Sequence, residues 1–186
     1  MSKVNPHKYS AAETDQPPTK DYRTLARQLT VQFLHQLAVQ GQDILVQLDR
    51  FLYENTDQED AKDLARKWTR GTWTQRQQVD ACIRKNYSNW DLARINLVDQ
   101  NNLRLAIYHL LYCPDIPPKV VINEAVELAK LFGTEQSPGF INGVLESVRR
   151  DIAAKNDPNP TMNPPTNPNP PTKPNPTTTT NPTDKG

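Results

Sequence analysis

The sequence predicts an all-helical fold of about seven helices. Apolar residues recur at three- and four-residue spacing throughout residues 22–152, which places them on one face of each helix. No segment alternates apolar and polar residues for long enough to form a strand. Prolines fall at the boundaries of the periodic stretches, where they mark helix ends.

The first half of the chain predicts three of these helices. Asp21 can cap a helix that ends near Gly41, and a shorter apolar stripe follows it. A charged loop at 54–60 then leads into a long helix that runs to about Lys85. The predicted buried faces contain Leu25, Leu29, Phe33, Leu34 and Leu37, then Ile44, Leu45, Leu48, Phe51 and Leu52, then Leu64, Trp68, Thr72, Val79 and Ile83.

A turn at 86–89 and a short helical piece at 90–97 precede the next helix. Asp99 can cap that helix, which would start near Gln100, because its carboxylate can accept from first-turn N–H groups. The apolar face of this helix contains Leu103, Ala106, Ile107, Leu110 and Leu111.

Two further helices follow, each with a clear start. Pro118 suits a first turn, where the N–H that proline lacks would be unpaired anyway. Gly133 suits a left-handed C-cap, and Ser137 before Pro138 suits the N-cap of the last helix. The apolar faces contain Ile122, Ala125, Val126, Ala129 and Phe132, then Phe140, Ile141, Val144, Leu145 and Val148.

One helical domain with two extensions is the predicted organisation of the 186 residues. Residues 1–19 are polar, residues 20–155 form the domain, and residues 156–186 hold ten prolines among Asn and Thr. The last composition predicts a disordered, extended tail, because it offers almost nothing to bury. The N-terminus lacks the apolar stretch of a signal peptide, and no run approaches the ~18 apolar residues of a membrane span. We therefore expect a cytoplasmic protein.

Sequence motifs of catalysis or metal binding are absent. The histidines at 7, 35 and 109 lie in no catalytic motif, and Cys82 and Cys113 lack metal-ligand spacing. We therefore expect no enzymatic activity and no cofactor. Charge is uneven, however: residues 43–60 hold six acids against one base, and residues 62–104 nine bases against four acids. This predicts one acidic and one basic face, although an ordinary solvated surface gives the same pattern.

The run PDIPPKVVINEAVELAKLFGTEQSPGFINGVLESV, from residue 114 to residue 148, carries a family resemblance. It resembles the C-terminal half of the NusB family of bacterial transcription antitermination factors, and weaker similarity extends over residues 22–152. The resemblance implies two packed three-helix bundles. It also implies binding of boxA-type single-stranded RNA together with the ribosomal protein NusE, within the antitermination complex of RNA polymerase, in support of rRNA transcription.

The resemblance also assigns candidate residues for RNA. Positively charged groups and aromatic rings are the usual means of holding single-stranded RNA, through phosphate contacts and base stacking. Arg23 and Arg27 match basic positions of the family, and their four-residue spacing lets them project together. The further matches are Tyr87, Lys119 and Phe140, together with Gln136 in the loop 133–137, where many family members have an acid. Phe140 could equally pack in the core.

A second set of candidates concerns NusE. Asp99 matches an acidic position at the NusE interface of the family, and His35 replaces an aromatic residue found there. Asp99 could instead be simply the N-cap of its helix, although one carboxylate can serve both roles. Two alternatives stay open at this point: a helical protein–protein scaffold that does not bind RNA, and a homodimer rather than a monomer.

Overall fold

Helices form the secondary structure of the residues that the structure, a computed structural model, describes: 21–86 and 95–156. Within these ranges there are seven α-helices and one 3₁₀-helix, so the predicted all-helical fold is confirmed. The elements are α1 (Tyr22–Gln40), the 3₁₀-helix (Gln42–Gln47), α2 (Leu48–Asn55), α3 (Glu59–Thr74), α4 (Arg76–Asn86), α5 (Leu97–Tyr112), α6 (Pro118–Phe132) and α7 (Ser137–Asn156). The predicted extension at 1–19 lies outside the described residues, and so do all but the first residue of the predicted tail at 156–186 and of the turn at 86–89, and most of the helical piece at 90–97.

The helices form two packed groups, as predicted. The N-terminal bundle consists of α1, α2 and α3, and the C-terminal bundle consists of α5, α6 and α7. Helix α5 contacts α1 and α3 on one side and α6 and α7 on the other, while α4 lies against α5 and α7. The largest completely buried apolar side chains come from both bundles and from α4: Phe33, Leu34, Leu37, Leu48, Leu52, Ile83, Leu103, Leu105, Ile107, Ile141 and Leu145.

Local sequence signals located the ends of α1 and α6 correctly. The Asp21 carboxylate accepts from the Arg23 N–H at 3.0 Å, and Gly41 ends α1 with a φ of 91°. Such a positive φ favours glycine, which has no Cβ to clash. Pro118 occupies the first turn of α6, where it costs no hydrogen bond.

Other predicted boundaries were wrong. The long helix predicted to reach Lys85 breaks at Gln75, whose φ and ψ of −90° and 6° separate α3 from α4. Helix α5 starts earlier than predicted, at Leu97, and its N-cap is Asn96 rather than Asp99. Gly133 does follow the last residue of α6, as predicted, but its φ of −93° and ψ of −166° are extended, so the predicted left-handed conformation is wrong.

Gly71 lets α3 and α5 approach closely. A Cβ added at this position would overlap the phenol ring of Tyr108 on α5. Because Tyr108 is itself almost fully buried, a larger residue at position 71 would force the ring to move. The glycine is therefore required by the packing of two helices and not by a turn.

The predicted separation into an acidic and a basic face is wrong for α2 and α3. The Arg66 guanidinium contacts Asp49 and Asp63, each at 2.6 Å, and the Lys62 ammonium lies 2.9 Å from Glu59. The Lys62 side chain is buried over the ring of Tyr53, at 4.0 Å from the centroid. Most of the bases of this region thus neutralise neighbouring acids.

Several other features bear on the possible class of protein. Neither Cys82 nor Cys113 forms a disulfide. Within 21–86 and 95–156, no three His, Cys, Asp or Glu side chains come together as a metal site. None of the described helices combines the length and the apolar character that crossing a membrane requires.

Candidate nucleic-acid interface

Arg23 lies at the exposed start of α1. The Asp21 cap fixes this first turn, and the Arg23 guanidinium stacks over the ring of Tyr22 at 4.6 Å from its centroid. An exposed arginine held in this way keeps hydrogen-bond donors available to a partner. The structure therefore leaves Arg23 accessible to a phosphate.

Arg27 does not project with Arg23, which corrects the prediction that the two form one surface patch. Its side chain is only 5% exposed, and its Nη1 donates to Glu124 on α6 at 3.2 Å. The guanidinium also lies 5.3 Å from the ring centroid of Trp68. Burial lowers the pKa of Arg27, while the charge of Glu124 opposes that change. The arginine thus joins α1 to α6 inside the protein.

Beside Arg23 lies an open groove of about 540 Å³, between the start of α1, helix α3 and the turn that leads into α6. Its charged lining residues are of both signs: Arg23, Arg27, Lys67, Asp60, Asp63 and Asp115. Carboxylates repel phosphates, so this groove is not a uniform channel for an RNA backbone. Neither Gln136 nor Phe140 lines it.

Lys119 and Gln136 lie near opposite ends of α6. Lys119 is exposed in the first turn, and within the described part of the chain no carboxylate forms an ion pair with it. Gln136 is exposed just beyond the last turn, and its backbone carbonyl accepts from the Phe140 N–H at 3.2 Å. A helix of 15 residues is about 22 Å long, so these two side chains are well separated.

Phe140 is half-buried in the first turn of α7 and packs against the hydrophobic core. Core packing, the alternative interpretation from the sequence, thus accounts for part of this ring. The remaining candidate aromatic residue, Tyr87, lies outside the described residues. A stacking role for either ring stays a prediction.

Asp99 is buried, and its carboxylate is hydrogen-bonded inside the protein. The residue is 5% exposed, and its Oδ2 accepts from the Ser137 hydroxyl at 2.6 Å. Burial raises the pKa of Asp99, and the hydrogen bond from Ser137 opposes this change. The predicted cap role is wrong, since the Asn96 side chain accepts from the Val98 N–H instead, at 3.1 Å. His35, the other candidate for NusE, is half-buried on α1.

His109 has a structural environment that sequence patterns did not reveal. The side chain is almost completely buried, and its ring meets Trp68 edge-on at a centroid distance of 4.6 Å. Burial, assisted by the charge of Arg27, lowers the pKa of His109 from 6.5 to about 3. His109 is therefore a neutral core residue. From the sequence, helical spacing indicated only which helix contains it and which face of that helix it lies on.

Comparison with known proteins identifies the family. The profile of the NusB family matches residues 24–150. The chain belongs to the NusB family. It is 36% identical over 143 residues to the transcription antitermination protein NusB of Syntrophus aciditrophicus, covering 77% of this chain and 89% of that protein. It is 44% identical over 128 residues to the NusB of Anaeromyxobacter dehalogenans, covering 68% and 89%.

Solved structures of NusB proteins share the fold. The T. maritima NusB structure superimposes with a TM-score of 0.60 at 35% identity, covering 74% of this chain and 96% of that one. A chain from a crystal structure of the antitermination factors NusB and NusE in complex with dsRNA gives a TM-score of 0.64 at 26% identity. That match covers 70% of this chain and 97% of the other. Nearly the whole length of each known structure is thus represented in this NusB-family protein.

Proposed function

We propose that this protein is a transcription antitermination factor that binds boxA-type single-stranded RNA together with NusE, in the antitermination complex of RNA polymerase, and so supports rRNA transcription. Membership of the NusB family is the observation that carries this proposal. A relative at 26% identity was solved with both NusE and RNA, which supports the same pair of partners here. The proposed role is that of a non-catalytic adaptor in the cytoplasm.

Three exposed positions give the proposal its geometry. Arg23 lies near the first half of α6, because its neighbour Thr24 donates to Glu124 at 3.0 Å. Lys119 occupies the first turn of α6, and Gln136 follows its last turn. A single strand of RNA lying along α6 would contact Arg23 and Lys119 near the start of the helix. Beyond the end of the helix it would contact Gln136 and the exposed part of Phe140. Phosphate contacts would then dominate at one end and base contacts at the other.

Replacing Arg23 or Lys119 with Ala should weaken RNA binding for every sequence tested. Each change should also lower the slope of log K against log salt by roughly 0.7, the value expected for one lost phosphate contact on a single strand. Fluorescence anisotropy over a salt series measures both quantities. Arg50→Ala is the matched control, because Arg50 is exposed on α2 and paired with Glu54 at 2.7 Å. If Arg23→Ala and Lys119→Ala both match this control, the proposed path along α6 is wrong.

The chemistry of the loop after α6 gives a second test. A carboxylate at position 136 would repel a nearby phosphate, whereas the Gln136 amide can donate to a phosphate or a base edge. Gln136→Asp should weaken RNA binding about two- to fivefold at low salt, and less at high salt, because screening limits exposed charge interactions to under ~1 kcal/mol. Gln47→Asp, at an exposed position on the 3₁₀-helix, supplies the control. Equal or tighter binding by Gln136→Asp would remove this loop from the interface.

NusE and the form of the RNA require separate measurements. His35 and Asp99 stay the proposed NusE contacts, although the burial of Asp99 directs its carboxylate towards Ser137. The related complex contains dsRNA, so a boxA strand should be compared with its own duplex, each with and without NusE. Tighter binding of the single strand, strengthened by NusE, is expected. The same titration, followed by sedimentation, tests whether the protein forms a homodimer.

A helical scaffold that does not bind RNA is the alternative function. The burial of Arg27 favours it, since one of the two predicted arginines at the start of α1 is committed to Glu124. Binding of NusE without any binding of the boxA strand would support the scaffold and overturn the adaptor.

A further inference from the structure

The loop between α6 and α7 (residues 133–136, the α6–α7 loop) is closed by hydrogen bonds to the first residue of α7. The Thr134 N–H donates to Ser137 Oγ at 2.8 Å, and the Ser137 N–H donates to the Thr134 carbonyl at 3.0 Å. The Thr134 hydroxyl lies 3.0 Å from the same Ser137 Oγ. These contacts fix both ends of the segment that contains Gln136.

Ser137 connects this closed loop to a different helix. Its buried hydroxyl donates to Asp99 Oδ2 on α5 at 2.6 Å. An O–H to carboxylate bond of this length is among the stronger hydrogen bonds in proteins. The other carboxylate oxygen, Oδ1, is buried and has no hydrogen-bond partner among the described residues. The hydrogen bond from Ser137 therefore offsets part of the free-energy cost of burying this carboxyl group.

Gly133 lies directly against Ser137, so the loop backbone follows the position of this side chain. A Cβ added at Gly133 would lie 2.6 Å from both Cβ and Oγ of Ser137. The loop backbone thus closes directly onto the side chain that Asp99 holds. Loss of the bond to Asp99 would free Ser137, and through it Thr134 and Gln136.

We propose that Asp99 is a positioning residue for RNA binding, which holds the α6–α7 loop in its RNA-binding conformation through Ser137. This inference rests on the proposed function, in which Gln136 faces RNA. A loop that is already ordered does not have to lose conformational freedom when RNA binds. Asp99 therefore affects RNA binding without contacting the RNA. It acts through its hydrogen bond with Ser137, which lies 38 residues further along the chain.

Asp99→Ala should weaken binding of a boxA strand about five- to tenfold, the size expected when one or two side chains must be ordered on binding. The salt slope should not change, because no phosphate contact is removed. Asp99→Asn, whose amide oxygen can still accept from Ser137, should recover most of the affinity. Ser137→Ala should resemble Asp99→Ala, and the double variant should be no worse than either single one.

Two further measurements separate positioning from a general loss of stability. Amide hydrogen exchange at Thr134 should accelerate in Asp99→Ala. The Thr134 N–H donates to Ser137 Oγ, which Asp99 would no longer hold in place. Asp80→Ala removes another partly buried carboxylate, which bonds Arg104 at 2.7 Å between α4 and α5. This control should lower the melting temperature yet leave RNA affinity unchanged in the folded protein.

The outcomes distinguish this inference from the proposed function. If Arg23→Ala weakens RNA binding while Asp99→Ala does not, the positioning role is overturned and the function stands. The positioning role is also overturned if Asp80→Ala weakens binding as much as Asp99→Ala, because general destabilisation would then suffice. Absence of RNA binding by the unmodified protein would overturn both proposals.

Discussion

Glu124→Ala should destabilise the protein by about 3 kcal/mol, because it leaves the buried charge of Arg27 without its carboxylate. The Glu124 carboxylate accepts from Arg27 Nη1 at 3.2 Å and from Thr24 Oγ1 at 3.0 Å, so these two hydrogen bonds from α1 to α6 would be lost. The Glu124 side chain is 27% exposed, which places the expected loss at the lower end for a buried pair. Urea denaturation at neutral pH measures the change.

Two variants control this experiment. Glu127→Ala on the same helix breaks an exposed pair with Lys130 and should cost less than ~1 kcal/mol. Replacing both partners, as Arg27→Met with Glu124→Leu, should recover most of the stability, since no unpaired buried charge remains. Equal losses in Glu124→Ala and Glu127→Ala would show that the buried pair contributes no more than a surface pair.

Acidification from pH 7.5 to pH 5 should destabilise the protein by about 2 kcal/mol through His109 alone, at ~1.4 kcal/mol per pH unit. The unfolded chain binds a proton at this histidine as the pH falls through 6.5, whereas the folded protein does so only near 3. Between these values the unfolded state binds more protons, so stability falls as the pH falls. Above pH 6.5 His109 is neutral in both states, so it does not reduce the stability of the folded protein. Burial also raises the pKa of the Asp99 carboxyl, which lets the folded protein bind this proton more readily and so acts in the opposite direction to His109.

Denaturation at both pH values, in the unmodified protein and in His109→Gln, tests this contribution. The variant should lose about 2 kcal/mol of the pH dependence, whatever its stability at pH 7.5. Ile107→Val is the control, because Ile107 is buried on the same helix as His109 and does not titrate. That variant should keep the full difference between pH 5 and pH 7.5. An unchanged pH dependence in His109→Gln would mean that another group causes it.

Helix ends were predictable where the signal is local. Asp21 and Pro118 act on the N–H groups of their own first turn, so neighbouring residues suffice to place α1 and α6. The break at Gln75 carries no proline or glycine of its own, and apolar periodicity continues on both sides of it. Its position follows from how α3 and α4 pack, which sequence spacing does not reveal.

The candidate site was predictable to the level of helix faces and no further. A four-residue spacing correctly puts Arg23 and Arg27 on one side of α1, but it does not indicate that α6 covers the second of them. Asn96 and Asp99 are both good caps, but Asn96 caps α5 while the Asp99 carboxylate accepts from Ser137, which lies 38 residues further along the chain. Contacts at such separation are set by tertiary packing rather than by local preference.

Helix α5 packs against helices of both bundles, so the two bundles should unfold cooperatively. Neither bundle can close its core once α5 has left, so the two groups should unfold in a single transition although each has its own helices. Folding must likewise bring α5 against α1 and α6 before either core is complete. The exposed start of α1 and the loop after α6 are thus part of one folding unit. A destabilising substitution in either bundle therefore lowers the fraction of molecules in which both segments are folded.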